Sequence, residues 1–218
     1  MADSEHLGIA VIESQWYPRY QISVKPLFNF LSDVFCDRPD GFVYERFVGA
    51  QSFGEVHGYA IRQSRVRYIY VASHGEKDSI EAPNGDSISR HAIRDDICRH
   101  GGAKKRNRIR GLYLGSCLFG GSRNMAALFD DTDEGPNTLQ WIAGYREEVD
   151  FLESSCLDLI FWQTLLDREE SSEAKRVSAA RDYLVKSCEG LVKALGFGIW
   201  VRNPAGAGAC DLVTGEGG

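Results

Sequence analysis

What the sequence lacks sets its first limits. Proline occurs six times and methionine twice in 218 residues, which leaves no room for a collagen-like or proline-rich disordered architecture. No stretch reaches the ~18 to 20 consecutive apolar residues of a membrane helix. The opening residues Met1 to His6 carry no basic segment, and the apolar run at 7–12 is too short for a signal peptide. We therefore expect a cytoplasmic protein with no membrane partner. Cysteine is present six times, at 36, 98, 117, 156, 188 and 210, but the closest two, Cys98 and Cys117, are 19 residues apart. No C-x-x-C pair or Cys/His cluster with zinc spacing arises, so neither a metal nor any other cofactor is expected. Positive charge is also short: 25 Lys and Arg face 31 Asp and Glu, a net charge of −6. Such an acidic chain argues against a nucleic-acid partner. The single basic run, residues 104–110, has no interleaved aromatic. It reads as a solvated loop, or as an exposed cleavage site for an Arg/Lys-specific protease.

What remains is ordinary globular composition, with 43% hydrophobic and 26% charged residues. Short apolar or β-branched and aromatic runs at 7–12, 42–48, 67–72, 109–115, 138–145 and 198–202 predict six strands. Between them, 3- and 4-residue apolar spacing predicts helices over 24–35, 52–63, 89–100, 124–129, 151–166 and 172–195. Pro83-Asn84-Gly85-Asp86 is a turn signal that closes a hairpin. Alternating strands and helices imply an α/β fold with a mostly parallel six-stranded sheet flanked by helices. Residues 1–203 form one domain in this reading, and the Gly/Ala-rich residues 204–218 a flexible tail.

In parallel sheets, functional groups collect just past the carboxyl ends of strands. Two expected strands end on reactive residues: one runs into Ser73-His74-Gly75, the next into Gly115-Ser116-Cys117. If these strands are neighbours, His74 and Cys117 meet at one edge. A cysteine needs such a base, or a nearby cation, to ionise near neutral pH. The backbone N–H groups of Gly75 and Cys117 are candidates to stabilise a tetrahedral oxyanion. His57, also followed by a glycine, has no strand leading into it and is read as structural, while His91 and His100 fall on or beside a helix and are read as solvated. Cys156 and Cys188 are expected to fill the core from helix faces, and Cys210 to lie in the loose tail.

The order strand–His74-Gly75, strand–Ser116-Cys117, with 43 residues from His to Cys, resembles the caspase-like (clan CD) cysteine peptidases, a group including caspases, metacaspases, legumain, gingipains, separase and the bacterial CHAT proteases. The small size and the Leu114-Gly115-Ser116-Cys117 segment look closest to the bacterial CHAT branch. The resemblance implies a three-layer caspase-like fold over residues 7–202 and a catalytic dyad of His74 as base and Cys117 as nucleophile. It also implies a protein or peptide substrate, and regulation by processing or by a separate protein partner. Bacterial members are frequently tied to defence. Gly144-Tyr145-Arg146 looks like the family's substrate-binding segment, and the acidic stretch 130–137 corresponds in position to the linker that caspases cut; it also reads as a plain surface turn. Two departures matter. Gly115 stands where caspases carry Gln and metacaspases an acid, and Glu13 lies where caspases place an Arg at the end of the first strand. Asp-directed cleavage is therefore not expected.

The acids after the fifth strand point to a basic P1 residue instead. Asp150 is the first choice for the S1 pocket, followed by Glu148 and Glu147, with Glu13 as a second wall. Asp150 is equally placed to cap the helix beginning near Phe151. The alternative function is an inactive interaction module on the same fold. An amidotransferase or α/β-hydrolase is disfavoured, because Phe119 occupies the glycine position those nucleophile elbows require and the His lies upstream. Gly120-Gly121 matches no nucleotide-binding loop.

Overall fold

A computed structural model describes residues 5–15, 22–101, 109–167, 172–202 and 209–214. In chain order these form β1 (Ile9–Ser14), α1 (Lys25–Cys36), β2 (Val43–Phe47), α2 (Ala50–Arg62) and β3 (Tyr68–Ala72). A small hairpin layer follows, β4 (His74–Gly75), β5 (Ser79–Glu81) and β6 (Ser87–Ser89). Next come α3 (Arg90–Gly101), β7 (Gly111–Gly115), α4 (Ser122–Leu128), β8 (Trp141–Tyr145), α5 (Phe151–Leu166), α6 (Glu173–Ser187), α7 (Glu189–Ala194), β9 (Phe197–Arg202) and β10 (Ala209–Asp211).

The main sheet runs in the order β10-β9-β8-β7-β3-β1-β2. The pairs from β2 to β8 are parallel, whereas β9 and β10 each join antiparallel to their neighbour. The central strands β1, β3 and β8 are buried at every residue, because helices cover both faces. On one face Phe28 of α1, Phe161 and Trp162 of α5 and Leu184 of α6 pack with Tyr70, Tyr113 and Trp141 of the sheet. On the other, Phe53 and Ile61 of α2, Ile93 and Ile97 of α3 and Met125 of α4 pack with Ile12, Val71 and Leu114. These are the three expected layers.

Four local expectations change. The sheet has seven strands, since β10 lies within the expected flexible tail. It is held by an ion pair between Arg146 and the fully buried Asp211, and by Leu212 and Val213 packing on the core. Arg146 also stacks on Trp200, 4.9 Å from its ring, so the expected substrate segment here serves as an anchor. The single helix expected over 172–195 breaks at Cys188, whose backbone (φ −131°, ψ 26°) is not helical. Cys156 is exposed on α5 rather than buried, Cys188 is half-buried, and Cys210 sits half-buried in β10. Most of the basic run 104–110 lies outside the described residues.

Candidate active site

Register delivers the two reactive residues to one place. Ala72 of β3 pairs with Gly115 of β7, and beyond them the buried hydroxyls of Ser73 and Ser116 stand 3.2 Å apart. His74 and Cys117 are the next residues out. Immediately after β3 the chain becomes the first strand of the hairpin layer, where His74 pairs with Glu81 and Gly75 with Ile80. The turn closing that layer is the one expected at 83–86. Gly85 adopts φ +86°, and Asp86 Oδ2 accepts from the Ala50 N–H at the start of α2. These two hydrogen bonds, the backbone one first and that from the Asn84 side chain second, hold the Asp86 carboxyl below its usual range. The hairpin is thereby docked on α2, and with it the backbone of His74.

Gly75 is dictated by close approach. A Cβ there would lie 2.3 Å from the Cys117 carbonyl oxygen and 2.8 Å from Ser116 Cβ. Only glycine lets the two segments touch. Past Cys117 the chain turns sharply: Leu118 adopts φ +58°, a left-handed conformation that a branched residue reaches at a cost of order 1–3 kcal/mol. The turn is pinned from outside by Leu118 N–H donating to Glu147 O (3.1 Å) and Gly120 N–H to Tyr145 O (2.7 Å). The thiol has a partner of its own, as the Val149 N–H points at Cys117 Sγ at 3.5 Å. In return, Cys117 Sγ stands 3.9 Å from the Val149 carbonyl oxygen.

His74, Gly115 and Cys117 line one cleft of about 260 Å³. Its other walls are Ile22, from the segment after β1, and Val149, Asp150, Phe151 and Ser154 around the start of α5. Of the acids expected for a cationic subsite, only Asp150 lines this cleft. Its Oδ1 also accepts from the Leu152 and Glu153 N–H groups, so it caps α5 as well; both readings of this residue hold geometrically. Glu147 and Glu148 are exposed and line no part of the cleft. Glu13 is fully buried and does not form a wall. Its carboxylate accepts from Ser23 Oγ (2.6 Å), the Val24 N–H (2.8 Å) and Tyr44 Oη (2.6 Å). It tethers the segment that carries Ile22 into the cleft. Burial first, and then the hydrogen bond to Glu13, push the Tyr44 phenol up to about 12.

Beneath the cleft lies a polar cluster that the sequence reading did not find. Asp158 of α5 is buried and accepts hydrogen bonds from the hydroxyls of Tyr70, Tyr113 and Tyr145, one from each of three neighbouring strands. Burial raises the Asp158 pKa to about 6, against the lowering effect of the three phenols. Burial, and then the Asp158 charge, push all three tyrosines well above their usual range. The cluster touches the site: a Cβ on Gly115 would meet Tyr70 Oη at 2.5 Å, and Tyr145 Oη also donates to the Ser154 carbonyl. Two of the other histidines behave as expected, whereas His100, expected to be solvated, is half-buried with Nδ1 3.3 Å from the Arg62 guanidinium. His57 is buried against Phe53 and stands 3.3 Å from Asp96, tying α2 to α3, and His91 is exposed.

No family model matches the sequence, and no curated protein matches it. Solved structures do resemble the fold. The crystal structure of the Arg-specific cysteine proteinase gingipain R aligns with a TM-score of 0.56 over 89% of this chain and 45% of that one, at 8% identity. A complex of the pro- and mature domains of the Porphyromonas gingivalis enzyme gives the same score and identity, over 89% and 46%. The fold is caspase-like. This chain spans about half the length of the gingipain chains it matches, and at such low identity the likeness concerns the fold. On this caspase-like fold the His-Gly and Ser-Cys segments end adjacent parallel strands, at the edge where open α/β sheets carry their sites.

Proposed function

We propose that this protein is a cysteine endopeptidase that cleaves after a basic residue, with Cys117 as nucleophile and His74 as general base and acid. The observation that carries the reading is the shared cleft, where the ends of two paired strands bring a histidine and a cysteine together and a glycine lies against the cysteine backbone. In the reaction the Cys117 thiolate, with the Val149 N–H beside it, attacks the scissile carbonyl. The negative charge on the tetrahedral oxygen is met by backbone N–H groups of Gly75 and Cys117. His74 then gives its proton to the leaving amine, and water, deprotonated by His74, hydrolyses the thioester. Asp150 is the acid we assign to the P1 side chain. Its Oδ1 is committed to the helix, and the residue lines the cleft that holds Cys117. Gingipain R, an Arg-specific proteinase of the same fold, supports the basic preference, and its structure with a pro-domain supports regulation by processing or by a protein partner.

A positional-scanning peptide library tests the dyad and the specificity together. Wild type is expected to cleave after Arg or Lys, and Cys117→Ala and His74→Ala to lose on the order of 10³-fold or more in kcat/KM. Activity retained in Cys117→Ala would remove the assignment. Absence of cleavage in the wild type, together with failure of an electrophilic peptide to label Cys117, would favour an interaction module instead.

A further inference from the structure

The hairpin that carries His74 and the turn that carries Cys117 belong to different elements, and one buried side chain spans them. Asn124, in the first turn of α4, is 2% exposed. Its Nδ2 donates to the Lys77 carbonyl at 2.6 Å and to the Phe119 carbonyl at 2.9 Å. Lys77 lies in the turn between β4 and β5, where the Glu76 N–H donates to the Ser79 carbonyl at 2.8 Å. Phe119 lies in the sharp turn just past Cys117. The amide therefore ties together the two segments immediately beyond the dyad.

The remaining atom of the amide is held as well. Asn124 Oδ1 accepts from Arg90 Nη1 at 2.7 Å, and the same nitrogen donates to Asp78 Oδ1 at 2.9 Å. Arg90 opens α3 directly after β6, and its side chain is 13% exposed. An amide answers all of these demands at once. The two carbonyls can only accept and the guanidinium can only donate, so the group between them must offer two N–H bonds and one oxygen. Aspartate would turn an oxygen toward the two carbonyls, and leucine would satisfy none of the three groups.

The close approach of Gly75 to the Cys117 backbone brings the two segments together. Hydrogen bonds add direction, because they weaken steeply when misaligned. Resting on the dyad proposed above, we infer that Asn124, oriented by Arg90, is the positioning residue that fixes the His74 hairpin against the Cys117 turn. It thereby sets the distance and angle between imidazole and thiol. Neither Asn124 nor Arg90 lines the cleft, so substrate binding does not depend on them directly. Catalytic groups displaced by about 1 Å lose on the order of 10²-fold in rate, and the two tethered carbonyls are close neighbours of the dyad in sequence.

The test compares wild type with Asn124→Asp, which keeps the size of the side chain, can still pair with Arg90 and suits the first turn of a helix, but loses both donated bonds. With an Arg peptide substrate, kcat should fall by about 10²-fold, with KM within about twofold of wild type and the thermal midpoint nearly unchanged. Arg90→Gln, which leaves both donated bonds in place, should lower kcat by about two- to tenfold. A readout that needs no peptidase activity is the rate at which iodoacetamide alkylates Cys117, followed by mass spectrometry between about pH 5 and pH 9. His74→Ala should move this profile toward higher pH, and Asn124→Asp should move it part of the way. If His74→Ala leaves the profile unchanged, the dyad reading fails and the positioning role falls with it. If His74→Ala moves it and Asn124→Asp does not, the dyad stands and the positioning role is overturned. An Asn124→Asp chain that no longer folds, or a loss confined to KM, would also overturn it, by making Asn124 a structural or a substrate-binding residue.

Discussion

The two ends of the sheet are built on opposite principles. At the carboxyl end, nearly every polar group around Cys117 already has a partner. Ser73 faces Ser116, Asp150 caps α5, Glu13 holds three donors, and Asp158 gathers three tyrosines. At the amino end, Arg65, Arg67 and Arg176 line a wider cleft, with Arg65 and Arg67 exposed. The first end is preorganised, with its geometry fixed before any substrate arrives. The second is lined in part by long charged side chains that are exposed to solvent. One sheet thus presents a rigid chemical edge and an open electrostatic one.

Four tests probe this contrast, in descending order of expected effect. Removing either member of the dyad, as above, should abolish cleavage while leaving the thermal unfolding midpoint near that of the wild type. A large loss of stability would mean that the dyad side chains also hold the edge together. Gly75→Ala comes next, since its methyl would meet backbone atoms of Cys117 that have no room to yield. A loss of roughly 1–3 kcal/mol in unfolding free energy is expected, together with loss of peptidase activity. A fully active, fully stable variant would show that the contact is dispensable.

Asp158 tests the rigid edge through pH. Its folded pKa of about 6 lies above the unfolded value of 3.8, so its contribution to stability is fully present below the unfolded pKa and is lost as pH rises through 6. Wild type should therefore gain on Asp158→Asn by on the order of 2–3 kcal/mol between pH 7 and pH 4, as read by denaturant unfolding of both proteins at each pH. A pH-independent difference would mean that Asp158 does not titrate in this range. The smallest effect separates the two roles of Asp150. Asn keeps the cap and removes the charge, whereas Ala removes both. Asp150→Asn should leave stability near wild type and lower kcat/KM for Arg substrates, and Asp150→Ala should lose about 1 kcal/mol of stability in addition.

The strands that carry the dyad were legible because their signals are local. Residues 67–72 and 109–115 are continuous apolar runs that end on His-Gly and Ser-Cys, and burial on both faces imposes that pattern. What escaped depends on distant partners. Strand β10 is short and embedded in Gly/Ala-rich sequence, and its order comes from Asp211 meeting Arg146, 65 residues earlier. Glu13 follows an apolar run as a site acid would, yet the segment at 22–24 folds over it and consumes its oxygens. The Val149 donor is a backbone group, which no side-chain pattern encodes. Helix α5 is apolar around most of its circumference, with Leu152 exposed, so periodicity did not show that Cys156 faces outward. One signal was available: three tyrosines in strands expected to be buried require a buried acceptor, and Asp158 is the acid on the helix that covers them.

Trp162 turns this architecture into an optical instrument. Its indole touches Tyr68 of the arginine cleft, at 5.8 Å, and also Tyr70 and Tyr113, which hold the carboxylate under the cysteine. A variant in which the other tryptophans are replaced by phenylalanine would carry one buried fluorophore between the two clefts. Its emission would report repacking at either end of the sheet without any attached label.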